Sequence, residues 1–268
     1  MRGDFLERYI QGTSLVHRLD PRLKLVATLA FVLVATSLPV RAWPAFVLLA
    51  FLALGAVLAA RIPLGVALRR SSIALPFAGV VALSLPFTRA GQTLWSWPAL
   101  GLSVTDEGLI LFAAVLVKSW LSVLVSGLLI ATTPFPQMIQ AMRRLRLPGI
   151  LGSILSFMYR YLFVLVDEAG RLMTARAARS VGRGRTVWWR ARVLGRMVGS
   201  LFIRSYERSE RIYAAMLSRG FGDEIRASHR LAPTSMAQLT WERRDTLSGL
   251  LWTALLAGVA AMGWLLFR

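Results

Sequence analysis

Residues 173–184 read MTARAARSVGRG and residues 206–221 read YERSERIYAAMLSRGF. Two short units sit near the ends of the stretch they bound: Ala178-Arg179-Ser180 and Ser218-Arg219-Gly220. Each closes a segment with helical apolar spacing, and glycine follows each closely. An arginine just ahead of a helix-ending glycine projects from an exposed tip. Its guanidinium can there form a bidentate pair with a carboxylate on another protein. Two such tips on adjoining helices can grip two partner subunits at once. The plainer reading is that both arginines belong to a general excess of positive charge on one side of a membrane.

The rest of the chain is unlike this stretch. Of 268 residues, 56% are hydrophobic and only 17% charged, against about 25% charged in soluble domains. The formal net charge is +19, and only Lys24 and Lys118 among the 32 basic residues are lysines. The arginines avoid the long apolar runs. That placement fits basic cytoplasmic loops better than a nucleic-acid surface.

The absent chemistry narrows the function. Without cysteine there is no disulfide, thiolate metal site or cysteine nucleophile. The two histidines, His17 and His229, read as local hydrogen-bonding groups rather than ligands. No P-loop, G-x-S-x-G elbow or HExxH motif occurs. Gly182-Arg183-Gly184 has no strand before it and no Lys-Ser/Thr after it, so it is a weak signal for a phosphate loop. Carboxylates inside the apolar runs, the usual parts of an ion path, are nearly missing. A chain with neither a fuel site nor an ion path borrows both from partners.

Taken in order, residues 1–24 are polar and basic. Asp20 is placed to cap a helix with Pro21 at its first position. Apolar runs follow at about 25–38, 43–60, 73–87 and 107–131, and a last one at about 246–267. The first is short for a core of about 30 Å. The third contains Pro76 and Pro86, which neighbouring helices can accommodate. The loop 88–106 places Trp95 and Trp97 at aromatic-belt depth. Lys118 inside the fourth run is either functional or part of a packed interface.

Between 137 and 245 the chain holds 20 arginines against eight Asp and Glu. The stretch 150–166 is apolar but carries Arg160 in its middle. It reads as an internal helix packed under the bundle rather than as a further span. Its apolar face is Leu151, Ile154, Leu155, Met158, Leu162 and Leu165. Arg160, Asp167, Glu168 and Arg171 have spacings that permit pairing. A second helix is expected from about Thr186 to Leu217. Its apolar side includes Val198, Phe202, Ser205 and Ile212, and its charged side Arg204, Glu207, Arg208 and Arg211.

The expected architecture is an all-α membrane protein of about five spans. Residues 1–132 form N-terminal transmembrane helices, 133–245 a cytoplasmic coupling-helix region, and 246–268 a C-terminal transmembrane helix. With the N-terminus cytoplasmic, the basic segments all fall inside.

These residues resemble a known family. The chain is similar to the transmembrane T component of energy-coupling factor (ECF) transporters, above all the cobalt-type CbiQ family. Ala178-Arg179-Ser180 and Ser218-Arg219-Gly220 look like its two Ala-Arg-Gly-like coupling motifs, with Ser180 and Ser218 as departures. Phe157-Met158-Tyr159-Arg160-Tyr161, Asp167-Glu168-Ala169 and His17-Arg18-Leu19-Asp20-Pro21-Arg22-Leu23-Lys24 match in order and spacing. Thr132-Thr133-Pro134-Phe135-Pro136 and Leu145-Arg146-Leu147-Pro148 look like the cobalt branch.

The resemblance implies a non-catalytic energy-coupling subunit of an ABC-type importer in a bacterial or archaeal plasma membrane. It would bind two cytoplasmic ATPase subunits and a separate substrate-binding membrane subunit, and no nucleic acid. ATP would be bound by the ATPases, with no cofactor in this chain. Cobalt is the expected cargo; nickel, biotin or another vitamin is the alternative within the family. Outside it stands a membrane-anchored, Arg-rich binder of nucleic acid or anionic lipid, which would show steep salt dependence without an ATPase partner.

Overall fold

The structure is a computed structural model that describes residues 12, 14–88, 92–97, 102–179, 186–221 and 243–266. Ser180, Gly182, Arg183, Gly184, Gly222 and His229 lie outside the described residues. The chain divides into two compact units. One comprises Met1–Ala141 with Leu239–Arg268, the other Met142–Gln238.

The first unit is an apolar helical bundle. After the single turn α1 (Leu15–Arg18), α2 (Pro21–Ser37) starts where the sequence placed a cap: the Asp20 carboxylate accepts from the Arg22 N–H at 2.8 Å. Trp43 and Pro44 open α3 (Trp43–Ala59). A line of small and aliphatic residues four apart, Ala45, Leu49, Ala53 and Val57, faces the core and lets neighbouring helices approach closely. Phe31 and Ala35 of α2 and Leu121, Leu124 and Val125 of α7 (Asp106–Thr132) complete that core. Leu256 and Val259 of α11 (Arg243–Leu266) join them. Outward-facing Leu29, Leu33, Phe51, Phe77, Val80 and Leu250 leave the perimeter apolar, as a bilayer-facing surface must be.

The third apolar run is built differently from the expectation. It starts sooner and is segmented into α4 (Leu64–Ser72), α5 (Ala74–Ala82) and α6 (Leu85–Thr88). A proline ring clashes with the carbonyl four residues before it. Pro76 therefore ends α4 at Ser72, and Pro86 ends α5 at Ala82. The connection that follows contains the only strands among the described residues, β1 (Thr93–Trp97) and β2 (Leu102–Thr105), paired antiparallel with Trp97 opposite Leu102. The all-α reading otherwise holds.

Lys118 has a packing role. Its ammonium donates to the Leu38 carbonyl at 2.7 Å and the Thr36 carbonyl at 3.0 Å, beside the Phe46 ring. Those are carbonyls of the last turn of α2 and of its cap, which no backbone N–H of that helix can satisfy. At about 1.5 Å per residue α2 is only about 25 Å long, shorter than a hydrocarbon core of about 30 Å. Its C-terminal end needs an internal donor, and Lys118 supplies one.

By length and composition, four helical stretches can cross a membrane: Leu64–Thr88, Asp106–Thr132, Gly149–Arg179 and Ser248–Leu265. The shorter Trp43–Ala59 is also apolar. α8 (Phe135–Arg144) carries the chain out of the first unit.

Candidate functional site

The second unit is dominated by two 31-residue helices, α9 (Gly149–Arg179) and α10 (Val187–Leu217). Before α9 the chain turns at Arg146, whose φ of 70° is a left-handed conformation. The Leu147 N–H reaches back to the Met142 carbonyl at 3.1 Å and closes that turn. The Arg143 side chain then lies over Gly152, where a Cβ would collide with it, and donates to Ser153 Oγ at 3.0 Å.

Three contacts fix the direction of the helix pair. Phe157, near the start of α9, meets Phe221, just past the end of α10, at a ring separation of 5.7 Å. Glu168 takes Arg204 at 3.1 Å, in the middle of both helices. The Arg176 guanidinium, near the end of α9, lies 5.9 Å from the Trp189 ring at the start of α10. Late residues of one helix meet early residues of the other, so the pair is antiparallel.

That geometry separates the two arginine units. Ala178 and Arg179 are the last residues of α9. Ser218 caps α10, and its hydroxyl donates to the Ala215 carbonyl at 3.0 Å. The Arg219 N–H donates to Met216 O at 3.1 Å, and Gly220 turns the chain with φ 79°. A side chain at that φ would be strained, which explains the glycine. Phe221 then folds onto Phe157, so the second unit lies beside the first turns of α9. From Phe157 to Arg179 the helical path is about 33 Å at about 1.5 Å per residue. The units stand at opposite ends of the pair rather than side by side. Ala178, Arg179, Ser218, Arg219 and Gly220 are all exposed. Neither arginine has an ion-pair partner among the described residues.

The expected acidic-basic cluster forms only in part. Glu168 bridges Arg204 across the pair and lies 3.9 Å from Arg171 on its own helix. Arg160 instead packs over the rings of Phe157 and Tyr161 and donates to the Tyr161 hydroxyl at 3.0 Å. A cleft of about 220 Å³ between the helices is lined by Glu168, Arg204, Glu207, Arg208 and Arg211, with Leu165 and Ser205.

The apolar faces are not fully spent either. Leu201, Ser205, Ile212 and Met216 are half-buried, while Val198, Phe202 and Tyr213 on the same expected face are exposed. On α9, Ile150, Ile154, Met158, Leu162 and Val166 form an exposed line with four-residue spacing. The period was legible, but a period cannot say whether the chain covers its own apolar face.

Long apolar helices, an apolar perimeter and a separate arginine-rich helix pair define a multi-pass membrane protein. Residues 12–229 match the family described as CbiQ, cobalt transport protein, and the chain belongs to that family. It is 29% identical over 272 residues to the energy-coupling factor transporter transmembrane protein EcfT of Acidaminococcus fermentans, covering 97% of this chain and 96% of the relative. The EcfT protein of Bacillus selenitireducens is 30% identical over 255 residues, covering 90% of each. An uncharacterized protein, MJ1571, of Methanocaldococcus jannaschii is 29% identical over 233 residues, 84% of this chain and 78% of that one.

Proposed function

We propose that this protein is the energy-coupling membrane subunit of an ECF-type importer for cobalt ions. Its two arginine ends hold two cytoplasmic ATPase subunits. The observation that carries the reading is the placement of two exposed arginines, without ion-pair partners among the described residues, at opposite ends of one antiparallel pair, about 33 Å apart by helical rise. One protein surface could satisfy two adjacent arginines. Two ends this far apart suit two copies of a partner, each offering a carboxylate to one guanidinium. ATP binds to those partners. Their closure moves the helix pair, and the pair passes the motion to a separate substrate-binding membrane subunit. The exposed apolar lines on α9 and α10 give that subunit a surface to pack on. The N-terminus is cytoplasmic, because that orientation places the arginine-rich residues 133–245 inside. α9 then lies on the cytoplasmic side despite its apolar character.

The test is purification of the tagged protein from native membranes, with partners identified by mass spectrometry. The expected result is two ATPase copies and one small membrane protein per chain, with ATP-dependent cobalt uptake on reconstitution. Recovery of the chain with anionic lipid or nucleic acid and no ATPase would contradict it. Uptake of nickel or a vitamin instead of cobalt would keep the coupler and change its cargo.

A further inference from the structure

The N-terminal run Asp20-Pro21-Arg22-Leu23-Lys24 does more than start a helix. The Lys24 ammonium donates to the carbonyl of His17 at 3.1 Å and to that of Thr132 at 3.3 Å. Thr132 is the last residue of α7, just ahead of α8, which carries the chain out of the first unit. The Asp20 N–H donates to Asp245 Oδ1 at 3.2 Å. Asp245 lies in the first turn of α11, where the chain returns. Asp20, Lys24, Thr132 and Asp245 are all buried. The end of α7 and the start of α11, far apart in the chain, therefore meet at one turn of α2.

We infer that the Asp20–Lys24 turn is the anchor through which force on the coupling region enters the membrane bundle. The chemistry suits an anchor. The carbonyl at the end of α7 has no N–H of its own helix to meet, and a charged donor there makes a stronger bond than a neutral one. The carboxylate of Asp245 favours the positive end of α11 while it holds the Asp20 N–H. Lysine suits the site because a compact ammonium has three donors to divide among converging carbonyls, whereas the guanidinium fork is planar and larger. Lys24 also answers Lys118: α2 supplies the lysine that caps α7, and α7 supplies the lysine that caps α2. Only Lys24, however, stands on the turn of α2 that meets both the end of α7 and the start of α11. It is a positioning residue that touches neither ATPase nor cargo.

The effect on transport rests on the energy-coupling reading; the geometry of the junction does not. The chain has no cysteine, so Gln137→Cys with Leu250→Cys, both at exposed sites, carries a single pair of nitroxide labels. The full chain in lipid nanodiscs is measured by pulsed electron resonance. One narrow distance peak is expected for the parent, lost in Lys24→Met and in Asp20→Asn, and kept in Lys118→Met. Lys118→Met is the control for general loosening of the bundle. In the assembled complex, Lys24→Met should retain its ATPases while ATP-driven uptake falls about tenfold, the scale of one lost charge-assisted hydrogen bond. An unchanged peak in both junction variants would overturn the anchor. So would a lost peak with parental uptake. A parent that binds no ATPase would defeat the coupling reading instead, and the label distances would still decide the junction.

Discussion

The two units handle polar groups in opposite ways. In the membrane bundle, Lys24 and Lys118 direct hydrogen bonds at backbone carbonyls of other elements, and the Asp245 carboxylate accepts from the Asp20 N–H. In the α9–α10 pair, Arg179 and Arg219 face outward, and so do Val198, Phe202 and Ile154. A bilayer offers no partner for an unsatisfied backbone group, so the bundle must satisfy its own, as its two lysines do. Under the proposed function the α9–α10 pair faces water, has no such obligation and can keep its groups for other proteins. Under the proposed function, the difference separates residues that hold this chain together from residues that hold others.

Variants should break along that line. The largest effect is expected for Arg179→Ala with Arg219→Ala. Truncating one side of a desolvated charge pair costs about 2–5 kcal/mol, so ATPase affinity should fall at least about thirtyfold in the double variant. The melting temperature of the chain in detergent should stay put. Lys118→Met should do the reverse. It strips two carbonyls of a charged donor, at about 1.5–3 kcal/mol for such a bond, and should lower the melting temperature while ATPase affinity holds.

Smaller changes sharpen the contrast between the two ends of the pair. Phe157→Ala removes an aromatic contact of about 0.5–1.5 kcal/mol beyond its buried area. It should weaken the Arg219 end and leave the Arg179 end intact, readable by cross-linking each end separately to an ATPase. Gly220→Ala puts a side chain at positive φ and should act in the same direction, by about 1 kcal/mol. Glu168→Gln should matter least. Its bridge to Arg204 is partly solvated, and such pairs contribute about 0–1 kcal/mol.

Much of this was readable from local pattern. Asp20 with Pro21 gave the start of α2, Arg179 the end of α9, and Leu217 with Gly220 the end of α10. Pro76 and Pro86 were read as tolerated within one span, and Leu64–Thr88 is one stretch able to cross a membrane, segmented four residues before each proline. The strand pair at 93–105 was hidden because tryptophans at a membrane edge and tryptophans in a hairpin look alike in sequence. Lys24 and Lys118 meet carbonyls 108 and 80 residues away. Nothing local marks such a partner, although two lysines among 32 basic residues were a signal. For the two arginine units, the arginines and the helices were legible in the sequence. It could not supply the antiparallel direction that sets them at opposite ends.

That separation is the central claim, and the most direct test measures it one end at a time. Purified ATPase without nucleotide is titrated against the reconstituted chain carrying Arg179→Ala, Arg219→Ala or both, and bound copies are counted by native mass spectrometry. Two copies on the parent, one on each single variant and none on the double is the expected series. Two copies retained on the double variant, or both lost together in either single variant, would contradict two independent ends.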